Sequence, residues 1–379
     1  MRILHTSDWH LGRQFHNVSL LDDQRHILDQ IVAVVRDRKA DVVLVAGDVY
    51  DRSVPPAAAV ELLDETVHRI CAELKVPMIL LAGNHDGPRR LGFAARQLAG
   101  AGLYVAGPLW SVPCPILLKG TSGELAFYPI PYADPATVRE VHGVEVADHD
   151  SALAYLLGRV RQDNGPTRPC VVLAHCFLAG GEPSESERPL SIGGAEQVNP
   201  EHFRPFAYAA LGHLHGPQWR GAEHIRYSGS PLKYSFSEER QRKSLTLVEL
   251  DGSGKAAIEL IPLKPRHDMR SLEGNLVDLL AAGKNDPQRE DYLLVRLTDR
   301  HAILDPMGKL REVYPNVLHL ERPGLMAGAE RVQVGRDRLK QGELAMFEDF
   351  FEQVTGDQPS AEQRRVVADA LDRLHREEF

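Results

Sequence analysis

Five short segments carry side chains able to share metal ions: Asp8 and His10; Asp48; Asn84, His85 and Asp86; His175; and His213 with His215. Each follows an apolar run that closes on small residues. Carboxylates, an amide oxygen and imidazoles form a mixed N/O donor set. Such a set suits manganese, iron or zinc better than calcium or magnesium, whose shells prefer oxygen alone. No thiolate joins it. Asp8, His10, Asp48, Asn84, His175, His213 and His215 are too many donors for one tetrahedral ion but enough for two ions sharing a carboxylate. Two ions about 3.5–4 Å apart clamp the attacking and leaving oxygens of a phosphoryl displacement and draw the pKa of water toward neutrality. Singly, the segments carry little. Asp-x-His and Gly-Asp occur in many chains, and a lone histidine is usually an ordinary hydrogen-bonded one. Gly-Asn-His-Asp and Gly-His-Leu-His are more specific, because His213 and His215 share a face on an extended chain. The two-ion reading rests on all five occurring in order at strand ends.

The elements around them alternate. "MRILHTSD", "DVVLVAGD" and "VPMILLAGNHD" read as apolar strands. Between them, 20–38 reads as a helix with Leu20, Ile27, Leu28, Ile31, Val34 and Val35 on one face. A second helix carries Val60, Leu63, Val67, Ile70, Cys71 and Leu74 as its stripe, and a short one follows near 91–98. Uninterrupted apolar strands separated by helices imply a sheet covered on both faces, an α/β layer fold. In such folds ligands gather at the carboxyl ends of strands. From 103 to 132 short antiparallel strands are expected, then a helix over 152–161 and strands in "PCVVLAHC", "FAYAALGHLH" and "HIRYSGSP". The expected division is a domain over 1–265, a small α/β domain over 266–322 opening on a helix in "SLEGNLVDLLAAG", a linker over 323–342, and two helices over 343–379. Ser360 and Gln363 have capping-box spacing in that tail.

The bulk properties bound the reading. The chain has 379 residues and a formal net charge of −9, which argues against a freestanding electrostatic DNA binder. Cys71, Cys114, Cys170 and Cys176 form no Cys-x-x-Cys pair and are read as reduced core thiols. No apolar run approaches the ~18 residues of a membrane span, and the first residues do not read as a leader. A cytoplasmic protein without membrane attachment is expected. No Walker A sequence is present, so any ATP dependence must come from a partner.

Asp8-Trp9-His10, Gly47-Asp48, Gly83-Asn84-His85-Asp86, His175 and Gly212-His213-Leu214-His215 together resemble the signature of the calcineurin-like metallophosphoesterases, over the first two-thirds of the chain. "ILHTSDWHLG", "GDVYD", "LAGNHD", "LGHLH" and "RYSGSPLKYSFSE", with the small domain and helical tail, further resemble the SbcD-type subunits of bacterial DNA nucleases, relatives of the double-strand-break repair nuclease. The resemblance implies a four-layer αββα sandwich with a small α/β capping domain and a C-terminal helical pair. It implies two divalent metal ions, Mn2+ foremost. Asp48 would bridge them, Asp8, His10 and His215 completing one site and Asn84, His175 and His213 the other. His85 would act on the scissile phosphate without binding metal. Asp86 would orient it, and His5 would stand behind the ligands, unless it is simply a core histidine of the first strand. The implied activity is exonuclease and endonuclease cleavage of DNA in end processing, repair and recombination.

Gly47, Asp48, Asp51 and Arg52 also match the spacing of phosphoprotein phosphatases. Leu11 after the first motif, Ser53 after Arg52, and Asp86 in place of glutamate depart from that pattern. A small-molecule phosphodiesterase would use the same motifs but would not need the appended small domain and helical pair. A metal-free scaffold on the same fold is disfavoured, because buried, unpaired polar groups cost free energy. Arg13, Arg52, Arg89, Arg90, Lys233, Arg240, Arg242 and Lys243 are the candidate DNA-backbone contacts. Leu344, Phe347, Phe350, Phe351, Val367, Leu371 and Leu374 form the apolar stripes of the tail. The resemblance implies that they dock on the coiled coil of an SbcC-like ATPase in a heterotetramer, with a homodimer through the nuclease domain.

Overall fold

Two six-stranded sheets are built from the apolar runs. The computed structural model describes all residues except 121–122, 166–167, 191–195, 300, 324–342, 356–357 and 378–379, so the expected linker lies almost wholly outside the described residues. The chain divides into two compact units, Met1–Arg266 and His267–Phe379.

In the first sheet the strands Arg2–Thr6, Val42–Val45, Met78–Leu81 and Leu103–Ala106 run parallel in that order. Ser244–Leu250 and Ala256–Pro262 extend it antiparallel beyond Arg2–Thr6. The second sheet sets Gly123–Ile130, Cys170–His175, Tyr208–Gly212 and Ala222–Tyr227 parallel, flanked by the antiparallel strands Ile116–Gly120 and Gln218–Arg220. The antiparallel texture expected over 103–132 is therefore confined to one hairpin. Leu103–Ala106 joins the first sheet in parallel, because its crossover is long enough to return it to the same edge direction.

The sheets share one core. Ile3, Val42, Leu44, Ile79 and Leu81 of the first meet Phe127, Val171, Leu173, Tyr208 and Ala210 of the second. On its far side the second sheet packs against the helix His149–Asn164 through Leu153, Leu156, Leu157 and Val160. Leu4, Val43 and Val45, which alternate with the core residues of the first sheet, are also buried, as is the stripe Ile27, Leu28, Ile31 and Val35 of the helix Leu21–Asp37. Sheets covered on both faces explain why these strands read as continuous apolar runs. The result is the four-layer α/β/β/α sandwich.

The second helix, Ala57–Val67 continued by a π-helical turn His68–Glu73, buries Ala59, Leu62, Thr66, Ile70 and Cys71. The expected stripe was one residue out of phase through its first turns, and Val60 is exposed. The three alanines before Val60 hid the true face, since Ala59 is small enough to pack closely. The helix Pro135–His142 was not anticipated. Its start was nevertheless encoded: Asp134 accepts from the Thr137 N–H at 2.7 Å, proline opens the first turn, and Gly143 ends it in the left-handed region.

In the second unit Met269–Gly274, Tyr292–Leu297 and Val317–Glu321 form a parallel three-stranded sheet with the helices Leu276–Gly283 and Pro306–Arg311. Leu276, Leu279, Leu293, Val295, Leu297 and Leu310 make its core. The stretch 271–274, expected as helix, is strand. The helix starts only at Leu276, where the Asn275 side chain accepts from the Asp278 N–H. Glu343–Thr355 and Ala361–Glu377 are the two tail helices. The capping box is formed, Ser360 N–H donating to Gln363 at 2.8 Å and Gln363 N–H to the Ser360 hydroxyl at 3.3 Å. Among the described residues no helix is long and apolar enough to cross a membrane.

The helix His149–Asn164 is the support of the second sheet, and its first turn is closed by a reciprocal box between Asp148 and Ser151, with the Ser151 N–H 2.8 Å from Asp148 Oδ1. Asp148→Ala should lower unfolding free energy by about 1 kcal/mol, read as a lower urea midpoint at unchanged slope.

Candidate metal centre

The carboxyl ends of the two sheets meet at one seam, and glycines permit it. Gly212 ends Tyr208–Gly212; a Cβ there would lie 1.8 Å from the Ala46 carbonyl oxygen, just past the end of Val42–Val45. At Gly83 a Cβ would fall 2.1 Å from Asp48 Oδ1. The motif glycines thus serve close approach. The ligand-bearing turns are also strained: Asp8, His10, Asp48 and His213 all have positive φ, at 54°, 46°, 48° and 108°. Residues other than glycine are held there only when their surroundings over-determine them. Here Asp8 N–H donates to Gly47 O, His10 N–H to Asp48 O and Leu11 N–H to Val49 O, zipping the first two loops together. Gln24 donates to the carbonyl of His10 at 2.8 Å, and the buried Tyr234 hydroxyl donates to that of Trp9 at 2.5 Å.

Asp48 stands at the middle. Its Oδ1 accepts from the His85 N–H at 2.9 Å. Its Oδ2 lies 3.5 Å from His175 Nε2, 3.6 Å from His10 Nε2 and 4.0 Å from His85 Nε2. Asp8 is wholly buried and accepts from the His213 N–H at 3.0 Å. Among the described residues three groups of donor atoms lie close enough to share an ion: Asp8, His10 and His215; Asp8, Asp48 and His175; and His10, Asp51 and His85. Asn84 joins the second through its Oδ1, 2.9 Å from His175 Nε2. The ring of His213 stands edge-on to that of His175, centroids 5.4 Å apart, outside these three groups.

Hydrogen-bond logic shows what this set is short of. His175 Nδ1 lies 3.0 Å from the Ala46 carbonyl, which can only accept, so Nδ1 carries the proton. Burial holds the His175 pKa below the ordinary histidine value, so the ring is neutral. Its Nε2 lone pair then faces the lone pairs of Asn84 Oδ1. The Nε2 atoms of His10 and His215 also face one another at 3.1 Å, and His10 Nδ1 is buried with no hydrogen-bond partner. Acceptors converging on acceptors fit divalent cations, which supply the missing positive charge. Burial and then neighbouring imidazoles lower His10 and His213 as well. Burial, then Asp48, pushes Asp8 well above the usual carboxylate range. Neutral imidazoles with crowded buried acids are the donor chemistry that metal ions stabilise.

Other expected residues take different places. His85 Nδ1 donates to the Asp51 carbonyl at 2.9 Å, leaving Nε2 toward the centre. Asp86, expected to orient His85, instead accepts from the N–H groups of Gly83, Val49 and Tyr50, clamping the second loop to the third. A carboxylate so near the chain can satisfy three backbone donors at once, whereas the His85 ring bonds the Asp51 carbonyl instead. His5 is a core histidine: its ring meets the Tyr208 hydroxyl at 2.9 Å and the Leu211 carbonyl at 3.2 Å, and burial lowers its pKa to about 3.

Lys243 is not a surface cation. It is buried, 2.6 Å from Glu238 Oε2, and also donates to the Ser230 hydroxyl at 2.9 Å. Arg13 pairs with Asp51 at 3.2 Å and lies over the Tyr234 ring, and Lys233 donates to the Glu239 carbonyl at 2.7 Å. Arg52, Arg89, Arg90, Arg240 and Arg242 are exposed, although Arg90 donates to the Ser53 carbonyl. Arg89 and Arg90 border a cavity of about 740 Å³ that reaches Asn84 and Tyr132. Of the thiols Cys71, Cys170 and Cys176 are buried, but Cys114 is exposed, correcting its assignment to the core. In the tail Leu344, Phe347, Phe351, Val367 and Leu371 are half-buried, while Phe350 and Leu374 are exposed. Asp51, Tyr234 and Glu238 lie within the quoted motif runs but were given no part in holding the site, and Gln24, far from any motif, carries no local signal.

Comparison with known proteins gives the family. The calcineurin-like phosphoesterase family matches residues 1–217, and a family described as the type 5 capsule protein repressor C-terminal domain matches 265–355. The SbcD chain of nuclease SbcCD from Staphylococcus epidermidis is 34% identical over 94% of this chain and 94% of its own. Its counterpart in Staphylococcus saprophyticus subsp. saprophyticus is 32% identical over 97% of this chain and 96% of its own. A solved dimetal phosphatase from Danio rerio is 11% identical with a TM-score of 0.39, covering 70% of this chain and 99% of that one. A phosphoesterase match that spans every donor loop, and relatives aligned nearly end to end, make this chain a metal-dependent member of the calcineurin-like phosphoesterase family, in its SbcD branch.

Proposed function

We propose that this chain is the nuclease subunit of a two-component DNA-processing complex, hydrolysing DNA phosphodiester bonds with two divalent ions, preferentially Mn2+. The observation that carries the reading is Asp48 Oδ2, within 4.0 Å of His10, His85 and His175 Nε2 at a seam of buried acceptors. Asp8, His10 and His215 would hold one ion, Asn84, His175 and His213 the other, with Asp48 between them. When bound, such ions neutralise phosphate charge and make water a competent nucleophile near neutral pH.

The chain's own residues do the rest. The Asp51 carbonyl fixes the proton on His85 Nδ1, so the ring offers Nε2 to the substrate. Doubly protonated, His85 gives a proton from Nε2 to the departing ribose oxygen and remains hydrogen-bonded to Asp51 throughout. Arg89 and Arg90, exposed on the short helix Pro88–Leu91 after the third loop, supply local positive charge to the DNA backbone in a chain that is acidic overall. The tail helices, with Phe350 and Leu374 exposed, are the surface for the coiled coil of an SbcC-like ATPase, and a homodimer forms through the nuclease domain. The names of the relatives support this partnership, since each is one part of a nuclease called SbcCD.

His85→Gln should keep Mn2+ binding and lose DNA cleavage by about 10²–10⁴-fold, whereas Asp48→Ala should lose both. Calorimetry with Mn2+ and cleavage of labelled linear DNA check this, and parental cleavage by His85→Gln would remove the assigned role. Run beside a phosphoserine peptide, the same protein should turn over DNA alone. Turnover of the peptide and not of DNA would favour the phosphatase reading that Asp51-Arg52 spacing suggests. Replacing Arg89 and Arg90 by alanine should weaken DNA binding and flatten its dependence on log salt concentration by about 0.9 per lost phosphate contact.

A further inference from the structure

The motif run that ends "SFSE" has no role in the catalytic assignment, yet its last residue, Glu238, is among the most deeply buried acids of the chain. It sits behind the candidate ligand His215. Ser186 Oγ lies 2.5 Å from His215 Nδ1 and also reaches Glu238 Oε1, which is itself 3.4 Å from that nitrogen. Lys243 Nζ, 2.6 Å from Glu238 Oε2, pairs the other carboxylate oxygen and also donates to the His215 carbonyl at 2.8 Å. Glu187 accepts from the His215 N–H at 2.8 Å, and the Ser184 hydroxyl, 2.6 Å from Glu187 Oε2, has its own acceptor there.

We propose that Glu238 is a positioning residue that fixes, through Ser186, which nitrogen of His215 carries the proton, and so sets the affinity of the site formed with Asp8 and His10. A carboxylate only accepts, so the Ser186 hydroxyl must donate to Glu238. Its remaining lone pairs then face His215, which must donate from Nδ1. That leaves Nε2 bare, 3.1 Å from His10 Nε2 and directed at the shared donor cluster. Lys243 and Glu187 hold the main chain of the same residue, so both ends of the ligand are fixed. Amide in place of carboxylate reverses the chain of donors. The new NH2 donates to Ser186, Ser186 donates to Nδ1, and the proton moves to Nε2, where it blocks coordination. Partners behind a histidine ligand typically govern its metal affinity by about 10–100-fold.

The inference rests on the metal-centre reading above, and the test separates the two. Mn2+ alone is titrated calorimetrically into the parent, Glu238→Gln and Ser186→Ala full-length proteins, with the melting temperature of each taken without metal. The parent should bind two ions. Glu238→Gln should weaken one by about 10–100-fold and leave the other unchanged. Ser186→Ala, which removes the relay and leaves the Glu238–Lys243 pair intact, should weaken the same ion and carries the test if Glu238→Gln does not fold. Ring 15N shifts of His215 in the metal-free protein should report the proton on Nδ1 in the parent and on Nε2 in Glu238→Gln. A parent that binds no Mn2+ overturns the metal centre itself. A parent that binds two, with either variant holding both within twofold, overturns only the role of Glu238, as does a lowered melting temperature with unchanged affinities.

Discussion

Two acids taken out of water govern this structure. Asp8 and Asp48 lie buried beside His10 and His175, whose pKa values burial lowers, and among the described residues no lysine or arginine forms an ion pair with either. Lone buried carboxylates are costly, and two near each other cost more. Everything around them answers that constraint. Backbone N–H groups of His85 and His213 are spent on their oxygens. The loops that bear them accept left-handed backbone, and glycines remove the side chains that would keep the sheets apart. What remains unbalanced is negative charge, and the arrangement is made to receive metal cations.

The sequence displayed the donors more clearly than the frame that holds them. Motif histidines and acids stand at the ends of apolar strands, where period and composition are both strong, so their meeting was legible before any geometry. The frame is less so. Asp86 has the residue type and position of a catalytic partner, yet its reach to three backbone N–H groups makes it a clamp between loops. Lys243 has the composition of a DNA contact, yet its ammonium turns inward to Glu238. Both errors have one origin: local sequence names the group but not the direction of its side chain.

Misplaced elements follow the same rule. Ser271 to Gly274 fits helical composition, but pairing with Tyr292–Leu297 decides for strand, and the Asn275 cap marks the true helix start. The helix Pro135–His142 was missed although Asp, Pro and Gly punctuate it correctly, because its stripe is too short to show periodicity. Capping chemistry carried information there that apolar spacing lacked.

The seam at Gly212 and Ala46 has a broader consequence. The first sheet supplies Asp8, His10, Asp48, Asn84 and His85; the second supplies His175, His213 and His215. Two of the three donor groups, Asp8 with His10 and His215 and Asp8 with Asp48 and His175, are completed only across the seam. A fragment that kept either sheet alone would retain recognisable motifs and no chemistry, and a small slip between the halves would dissolve the donor set without disturbing one strand. Bound metal in this architecture is therefore a gauge of alignment between two layers, sensitive to ångström-scale misfit that ordinary spectroscopy of secondary structure would pass over.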